Sequence, residues 1–281
     1  MSFMPAAKGQ IMHIIDIHAH IYPDSIAAKA TRAIGAFYQI PMSSTGTADT
    51  LLKWGEEAGI ALHVIHSAAV TGEQVPVINR FISSQVSLKP NNFIGFGTLH
   101  IDYEYMEEEL TKIKSMGLRG IKMHPDFQHI YPDDSACLRL LHRMAGHNLP
   151  LLVHTGDSRY AYSAPERIAR VADTIPNLQI ICAHLGGWSV WEEGYKVLQP
   201  YKNIWLDTSS SLYALTAEKA ADIIRQYGVD RIFFGTDYPM WHPVEEVRRF
   251  LALPLSETEK MMILSENFTR FMGSAIPAKP G

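Results

Sequence analysis

Ile11-Met12-His13-Ile14-Ile15-Asp16-Ile17-His18-Ala19-His20 is an apolar, β-branched run that ends in paired histidines, and its reading decides the fold. Such a run reads as a strand. Residues two apart in a strand project to the same face, so His18 and His20 present two imidazoles to one point in space. A neutral imidazole is the commonest protein ligand for borderline metals such as zinc, and a strand holds the pair rigidly. No glycine-rich dinucleotide fingerprint follows, which argues against an open, doubly wound nucleotide-binding sheet.

Short apolar runs of the same kind recur at Ala61 to Ile65, Phe93 to Leu99, Leu118 to Met123, Leu149 to Val153, Leu178 to Ala183, Asn203 to Leu206 and Arg231 to Gly235. Each is followed by a segment with helical spacing, the signature of βα units and a parallel sheet. Between 103 and 116, Met106, Leu110 and Ile113 fall on one helical face, and Gly117 supplies the stop. Between 216 and 227, Thr216 is the N-cap of a stripe made by Ala220, Ile223, Ile224 and Tyr227. Ser256 and Glu259 have capping-box spacing, opening a last helix toward Phe271 that Gly273 ends. Eight such units predict an α/β fold, a closed (β/α)8 TIM barrel forming a single domain over 1–281. The insert 22–47 reads as a long loop that roofs the site, and the tail 275–281 as loose.

A formal charge of -4, from 25 basic and 29 acidic side chains, gives no field for gripping a polyanion. Nucleic acid is therefore not an expected partner. No apolar stretch approaches the roughly 18 residues of a membrane span, and the first residues lack the pattern of a secretory signal. Cys137 and Cys182 both sit in apolar stretches and read as reduced core residues, which fits a cytoplasmic protein. The expected partner is a small-molecule substrate, and self-association into a homo-oligomer is left open.

A barrel places its chemistry at the C-terminal ends of the strands. His18 and His20 stand after the first strand, Lys122 and His124 after the fourth, His154 after the fifth, His184 after the sixth and Asp237 after the eighth. A mononuclear site built from His18, His20, His154 and Asp237 has three nitrogens and one carboxylate oxygen. That is a catalytic composition, since structural zinc sites are usually closed and thiolate-rich. Asp16 and Asp207 read as hydrogen-bond partners that orient the ligating histidines. Tyr22, Tyr160, Tyr162, Trp188, Trp191, Tyr238 and Trp241 fall in loops beyond strand ends, where they would line an aromatic bowl, with Trp188 singled out as a substrate contact. Arg159 is either a fork for a substrate carboxylate or a surface arginine, and His66 and His100 lie near strand ends.

The blocks Asp16-Ile17-His18-Ala19-His20, Gly120-Ile121-Lys122-Met123-His124-Pro125, Val153-His154-Thr155-Gly156, Ala183-His184-Leu185-Gly186-Gly187, Leu206-Asp207-Thr208-Ser209 and Gly235-Thr236-Asp237-Tyr238-Pro239 resemble the amidohydrolase superfamily. The resemblance is to its amidohydrolase-2 branch of metal-dependent TIM-barrel hydrolases and decarboxylases, and it spans nearly the whole chain in order. It implies that His18, His20, His154 and Asp237 ligate a metal and that His184 is a catalytic imidazole beside it, donating a hydrogen bond to the oxygen that gains charge. Asp237 would also carry the proton. One divalent ion is implied, zinc before manganese, with two metals if Lys122 is carboxylated as in dinuclear relatives. Otherwise Lys122 or His124 would bind a substrate anion or support the site from behind. The function implied is hydrolysis of a small organic amide, ester or lactone. Decarboxylation of an aromatic or unsaturated acid on the same site is the alternative, followed by a barrel that binds metal without turnover. A nuclease or phosphatase of the same barrel type is disfavoured, since such sites often carry a strand-four glutamate where this chain has Lys122 and His124.

Overall fold

The computed structural model describes residues 13–273 and 276. Its strands are β1 (Ile14–His20), β2 (Ile60–His66), β3 (Phe93–Gly95), β4 (Gly97–Thr98), β5 (Ile121–Met123), β6 (Leu151–Val153), β7 (Ile180–Cys182), β8 (Ile204–Asp207) and β9 (Ile232–Phe233). All pair in parallel with their sequence neighbours, in the runs β1 to β3 and β4 to β9. β3 and β4 are one stave interrupted at Phe96, whose N–H donates to Ile65 O at 3.0 Å. A few backbone hydrogen bonds carry the wall across the gaps between these two runs. Arg119 N reaches Gly95 O and Gly97 N reaches Gly120 O, each at 2.8 Å, while Ile17 N reaches Phe234 O at 2.9 Å and Asp237 N reaches His18 O at 2.8 Å. The staves close into the (β/α)8 barrel that the sequence predicts.

Two apolar layers follow from the alternation of strand side chains. Ile15, Ile17, Leu62, Val64, Ile94, Phe96, Leu152, Ile181 and Phe233 fill the barrel interior, closed at the base by Phe268. The larger cluster lies between the staves and the helices. In the first stave Asp16 pairs with His63 and Ala19 with Ile65, three positions against two, so β1 carries a bulge. The bulge lets Ile15 and Ile17 plug the interior while His18 and His20 still face the bowl above them.

Thr216 caps the helix Ala217–Tyr227 through its side chain, and Ser256 with Glu259 makes the predicted capping box. The last helix continues through a wide turn at Met262–Glu266, where Ile263 O accepts from Phe234 N at 3.1 Å. Both cysteines are buried and free. Among the described residues no helix is long and apolar enough to cross a membrane. The tail, apart from residue 276, lies outside the described residues.

The insert 22–47 is not the loop expected of it. Most of it is helix α1 (Asp24–Tyr38), closed by Gln39 in the left-handed conformation with its N–H on Gly35 O. Five alanines, at 27, 28, 30, 33 and 36, give this segment its helix propensity. Helices α2 (Ala48–Ala58) and α3 (Gln74–Leu88) flank β2.

Asp16 is fully buried and ties three staves together. Its Oδ1 accepts from His18 N at 3.1 Å and Thr236 N at 2.9 Å; its Oδ2 accepts from Thr236 Oγ1 at 2.8 Å and meets His63 Nδ1 at 3.1 Å. It therefore holds backbone, and its imidazole partner is His63 rather than a histidine of the site. Asp16→Ala strands these buried donors and should cost about 3–5 kcal/mol. The measurement is the urea midpoint at unchanged slope, and an unmoved midpoint refutes the role.

Glu246, on the helix Pro243–Leu251, is buried, and burial pushes its carboxyl up to about 7 even though Arg249 opposes the shift. Between its ordinary value, near 4.5, and about 7 the folded chain holds a proton that the unfolded chain has lost. Stability therefore falls as pH rises through that window. Glu246→Gln should flatten this slope and raise the melting temperature at pH 8; identical pH profiles for the two proteins would contradict it.

Candidate active site

Asp207, at the end of β8, orients the site. Its Oδ2 lies 2.9 Å from His18 Nδ1, and its Oδ1 accepts from His184 N at 3.1 Å, Ser209 N at 3.0 Å and Ser209 Oγ. A carboxylate only accepts, so His18 carries its proton on Nδ1 and turns the Nε2 lone pair inward. His184 Nδ1 lies 3.0 Å from the Ser209 carbonyl oxygen, another pure acceptor, so its Nε2 also presents a lone pair.

These inward nitrogens meet others. His18 Nε2 is 3.2 Å from His20 Nε2, 3.0 Å from Lys122 Nζ and 3.5 Å from Asp237 Oδ1. His20 Nε2 is likewise 3.5 Å from Asp237 Oδ1. His184 Nε2 lies 2.9 Å from His154 Nδ1, whose other nitrogen stands 3.6 Å from Asp126 Oδ2. Ser210 Oγ donates to Asp237 Oδ2 and accepts from Trp241 Nε1 at 2.8 Å, leaving Oδ1 turned toward the histidines. Burial, aided by mutual repulsion and by Lys122, lowers the pKa of His18, His20 and His154, and burial lowers that of His184. The imidazoles are thus neutral. Burial also brings Lys122 down to about 8 and raises Asp237.

The Nε2 lone pairs of His18 and His184 share this buried pocket with His20 Nε2 and Asp237 Oδ1, a cluster of neutral nitrogens and a carboxylate oxygen that a cation would satisfy together. Separations near 3 Å suit neighbouring ligands on one ion with bonds of about 2.0–2.1 Å. The donor set therefore fits a divalent metal. Among the described residues three trios of metal-competent atoms lie within 4.8 Å of one another: His18, His20 and His66; His18, His184 and Asp207; and Asp126, His154 and Asp157.

Local backbone aims these groups. His184 at φ 62°, Ser210 at φ 44° and Asp237 at φ 57° occupy the left-handed region, which side chains adopt only where surrounding contacts impose it. Gly235 lets the last stave approach the first, since a Cβ there would stand 2.9 Å from His18 Cβ.

His18, His20, Lys122, His124, His154, His184, Trp188 and Asp237 all line one cavity. The neutral tautomer of His184 does not support the expected donor role: with its proton on Nδ1 it offers an acceptor or ligand at Nε2. His124 does not enter the metal-facing cluster. It stacks on His154 at 4.1 Å, and its Nε2 meets Tyr38 OH at 2.8 Å. Of the seven aromatics read as walls, Tyr22 and Trp188 line the cavity. Tyr238 is buried against Trp54, while Trp191 and Trp241 hydrogen-bond to Ser211 and Ser210. Arg159 is occupied: Nε and Nη2 donate to Asp157 at 2.9 and 2.7 Å, and Nη1 donates to Phe37 O at 2.7 Å.

His66 is the residue that sequence reasoning undervalued. It pairs in register with His20, and its ring lies 4.4 Å from that of His20 and 4.9 Å from that of His18. Both of its ring nitrogens are buried without a hydrogen-bond partner. The available signal was its place at the end of the second stave, level with the pair on the first.

Comparison with known proteins agrees with this geometry. No relative with a curated function matches the chain by sequence. An uncharacterized TIM-barrel protein from Bordetella bronchiseptica superposes with a TM-score of 0.77 at 22% identity, covering 94% of this chain and 99% of that one. A dihydroxybenzoic acid decarboxylase from Polaromonas, with bound manganese and the inhibitor 2-nitroresorcinol, gives 0.71 at 17% identity over 92% and 96%. A probable 2-pyrone-4,6-dicarboxylic acid hydrolase from Acinetobacter baumannii gives 0.70 at 15% over 93% and 100%. These likenesses show a shared fold. The amidohydrolase family model matches residues 15–273, nearly the whole described chain from the first stave to the end of the last helix, and the chain therefore belongs to that family of enzymes.

Proposed function

We propose that this enzyme hydrolyses a small organic amide, ester or lactone, using one divalent ion, zinc before manganese, held by His18, His20, His154 and Asp237. The observation that carries this reading is the pair of inward Nε2 lone pairs on neutral His18 and His184, with His20 Nε2 and Asp237 Oδ1 within 3.5 Å of His18 Nε2. A bound divalent ion supplies Lewis acidity toward a carbonyl oxygen and makes water more acidic.

The side chains do the rest. Asp237 Oδ1, with Oδ2 fixed by Ser210, is placed to take a proton from the attacking water and return it to the leaving atom. Water oxygen bonds to the carbonyl carbon, the carbon–nitrogen or carbon–oxygen bond breaks, and the proton ends on the departing nitrogen or oxygen. His184 Nε2, locked in its tautomer by Ser209, is a second proton-accepting atom. Lys122 Nζ lies 3.0 Å from His18 Nε2 in the cavity lining and is placed to stabilise the oxygen that gains charge. Trp188 and Tyr38, with rings 5.0 Å apart, cover the cavity beside His154 and limit water entry.

Decarboxylation is the second reading, supported by Lys122 on β5 and His124 just beyond it, which both line the cavity where Lys122, with His124 if it exchanged its Tyr38 contact, would hold a carboxylate. Product analysis separates the two: an acid with an alcohol or amine supports hydrolysis, and carbon dioxide from a carboxylate supports the alternative.

Protein purified without chelator should contain one metal ion per chain, and His18→Ala should lose it. Full occupancy in that variant refutes the ligand assignment, while two ions per chain point to a carboxylated Lys122. His184→Asn should keep the metal and lower kcat by about 10²- to 10⁴-fold; elemental analysis beside steady-state kinetics checks both, and an unchanged kcat removes His184 from the chemistry.

A further inference from the structure

Helix α1 carries an apolar stripe that the core does not cover, and α3 faces the same cavity with residues of which Ile78 and Phe81 also pack in part on the core. α1 buries Ala27 and Thr31 on the barrel side and turns Ile26, Ala30, Ala33, Ile34 and Phe37 toward the cavity. Spacings of three and four residues make these five one helical face. α3 is built the same way, with Val75, Asn79 and Ile82 buried and Val77, Ile78 and Phe81 turned to the cavity. At the rim Ile26, Val70 and Val77 stay 49%, 42% and 57% exposed and all line the same cavity, so they form one apolar patch rather than scattered surface residues.

The space between the stripes is one cavity of about 840 Å³, and its inner end is formed by His18, His20, Lys122, His184 and Asp237. That volume lies in the upper part of the range for small-molecule sites. The outer section offers few charges, Lys29 and Glu73 among them. Arginine is missing from the described lining, because Arg159 is spent on Asp157 and on the α1 carbonyl of Phe37. A compact di- or tricarboxylate would set its outer carboxylates mostly against alkyl side chains, with the exposed Lys29 as the one cation among the described residues of the outer section to meet them.

We propose that the site takes a substrate whose reacting carbonyl is joined to an extended apolar group, a medium-length alkyl chain or its aryl equivalent, lying between α1 and α3. This rests on the hydrolase reading for its reacting group, while the binding of the apolar group stands apart from it. Each methylene moved from water into such a channel contributes a factor of about two to four in affinity, according to how fully it is covered.

The zinc-loaded enzyme is assayed with 4-nitrophenyl esters from acetate to decanoate. In parallel, calorimetry measures the binding of 2-alkanones from 2-butanone to 2-undecanone. Both kcat/KM and affinity should rise about two- to fourfold per methylene to a plateau. Ala33→Trp and Phe81→Asp should collapse the ratio of long to short homologues in both series. Arg32→Trp, on an exposed part of α1 outside the cavity, should preserve that ratio. Ketone affinity that climbs with length while no ester is cleaved supports the channel and removes the hydrolase reading. Ester cleavage with no dependence on length keeps the hydrolase reading and overturns the channel. A flat dependence in both series, with Val77→Asp dissociating a dimer, overturns the channel in favour of a self-association surface.

Discussion

The chemistry of this barrel depends on one buried carboxylate. Asp207 accepts from the side chain of His18, the backbone of His184 and both the backbone and hydroxyl of Ser209. Because it only accepts, it settles where the His18 proton sits. Because it also places Ser209, it sets the carbonyl that settles the His184 proton. Two imidazoles from different staves, stacked with ring centroids 5.3 Å apart, are thereby made to offer their Nε2 lone pairs to the bowl. Such an arrangement is costly in isolation and becomes favourable with a cation, so the fold holds its site in the form that a metal needs.

Holding that form takes rigidity elsewhere. The last stave meets the first through few backbone hydrogen bonds, and Asp16 reinforces that seam from within the wall by taking donors from β1, β2 and the Thr236 turn. Just beyond Thr236, Asp237 sits in a left-handed conformation that its side chain would not choose. Strain at Asp237 and stabilisation at Asp16 lie on the same few residues, a local balance that points the carboxylate into the bowl.

Much of this was legible in the sequence because it depends on local pattern and topology. Apolar runs spaced by helical segments specify staves, and closure then requires His18, His154, His184 and Asp237 to converge however far apart they are in the chain. What escaped depends on pairings that pattern does not encode. α1 looked like loop because its apolar stripe faces a cavity rather than the barrel, so the periodicity had no core to serve. Asp16 lies within β1 and Asp207 ends β8, and only the observed partners show that the imidazole held by Asp16 is His63 while the one held by Asp207 is His18. Arg159 looked available until its near neighbour Asp157 was seen to fill its fork. The tautomer of His184 follows from a carbonyl 25 positions away.

The division of labour between staves and helices has a consequence for specificity. The groups proposed to handle protons and metal stand at or just beyond stave ends, where the barrel wall limits how far they can move. The side chains proposed to meet the rest of a substrate stand on α1 and α3, which bury one face against the wall and turn another to the cavity. Arg159 links the two systems, binding Asp157 beyond the β6 stave and the Phe37 carbonyl on α1, with its guanidinium over the Phe37 ring at 4.8 Å. Exchanging side chains along α1 or α3 therefore alters what the cavity admits without disturbing Asp207 and the histidines it orients. Moving α1 as a body is different, because it drags on Arg159 and, through Tyr38, on His124 and the His154 ring stacked against it. Substrate range is free to vary by substitution within the helices, while their placement stays bound to the chemistry.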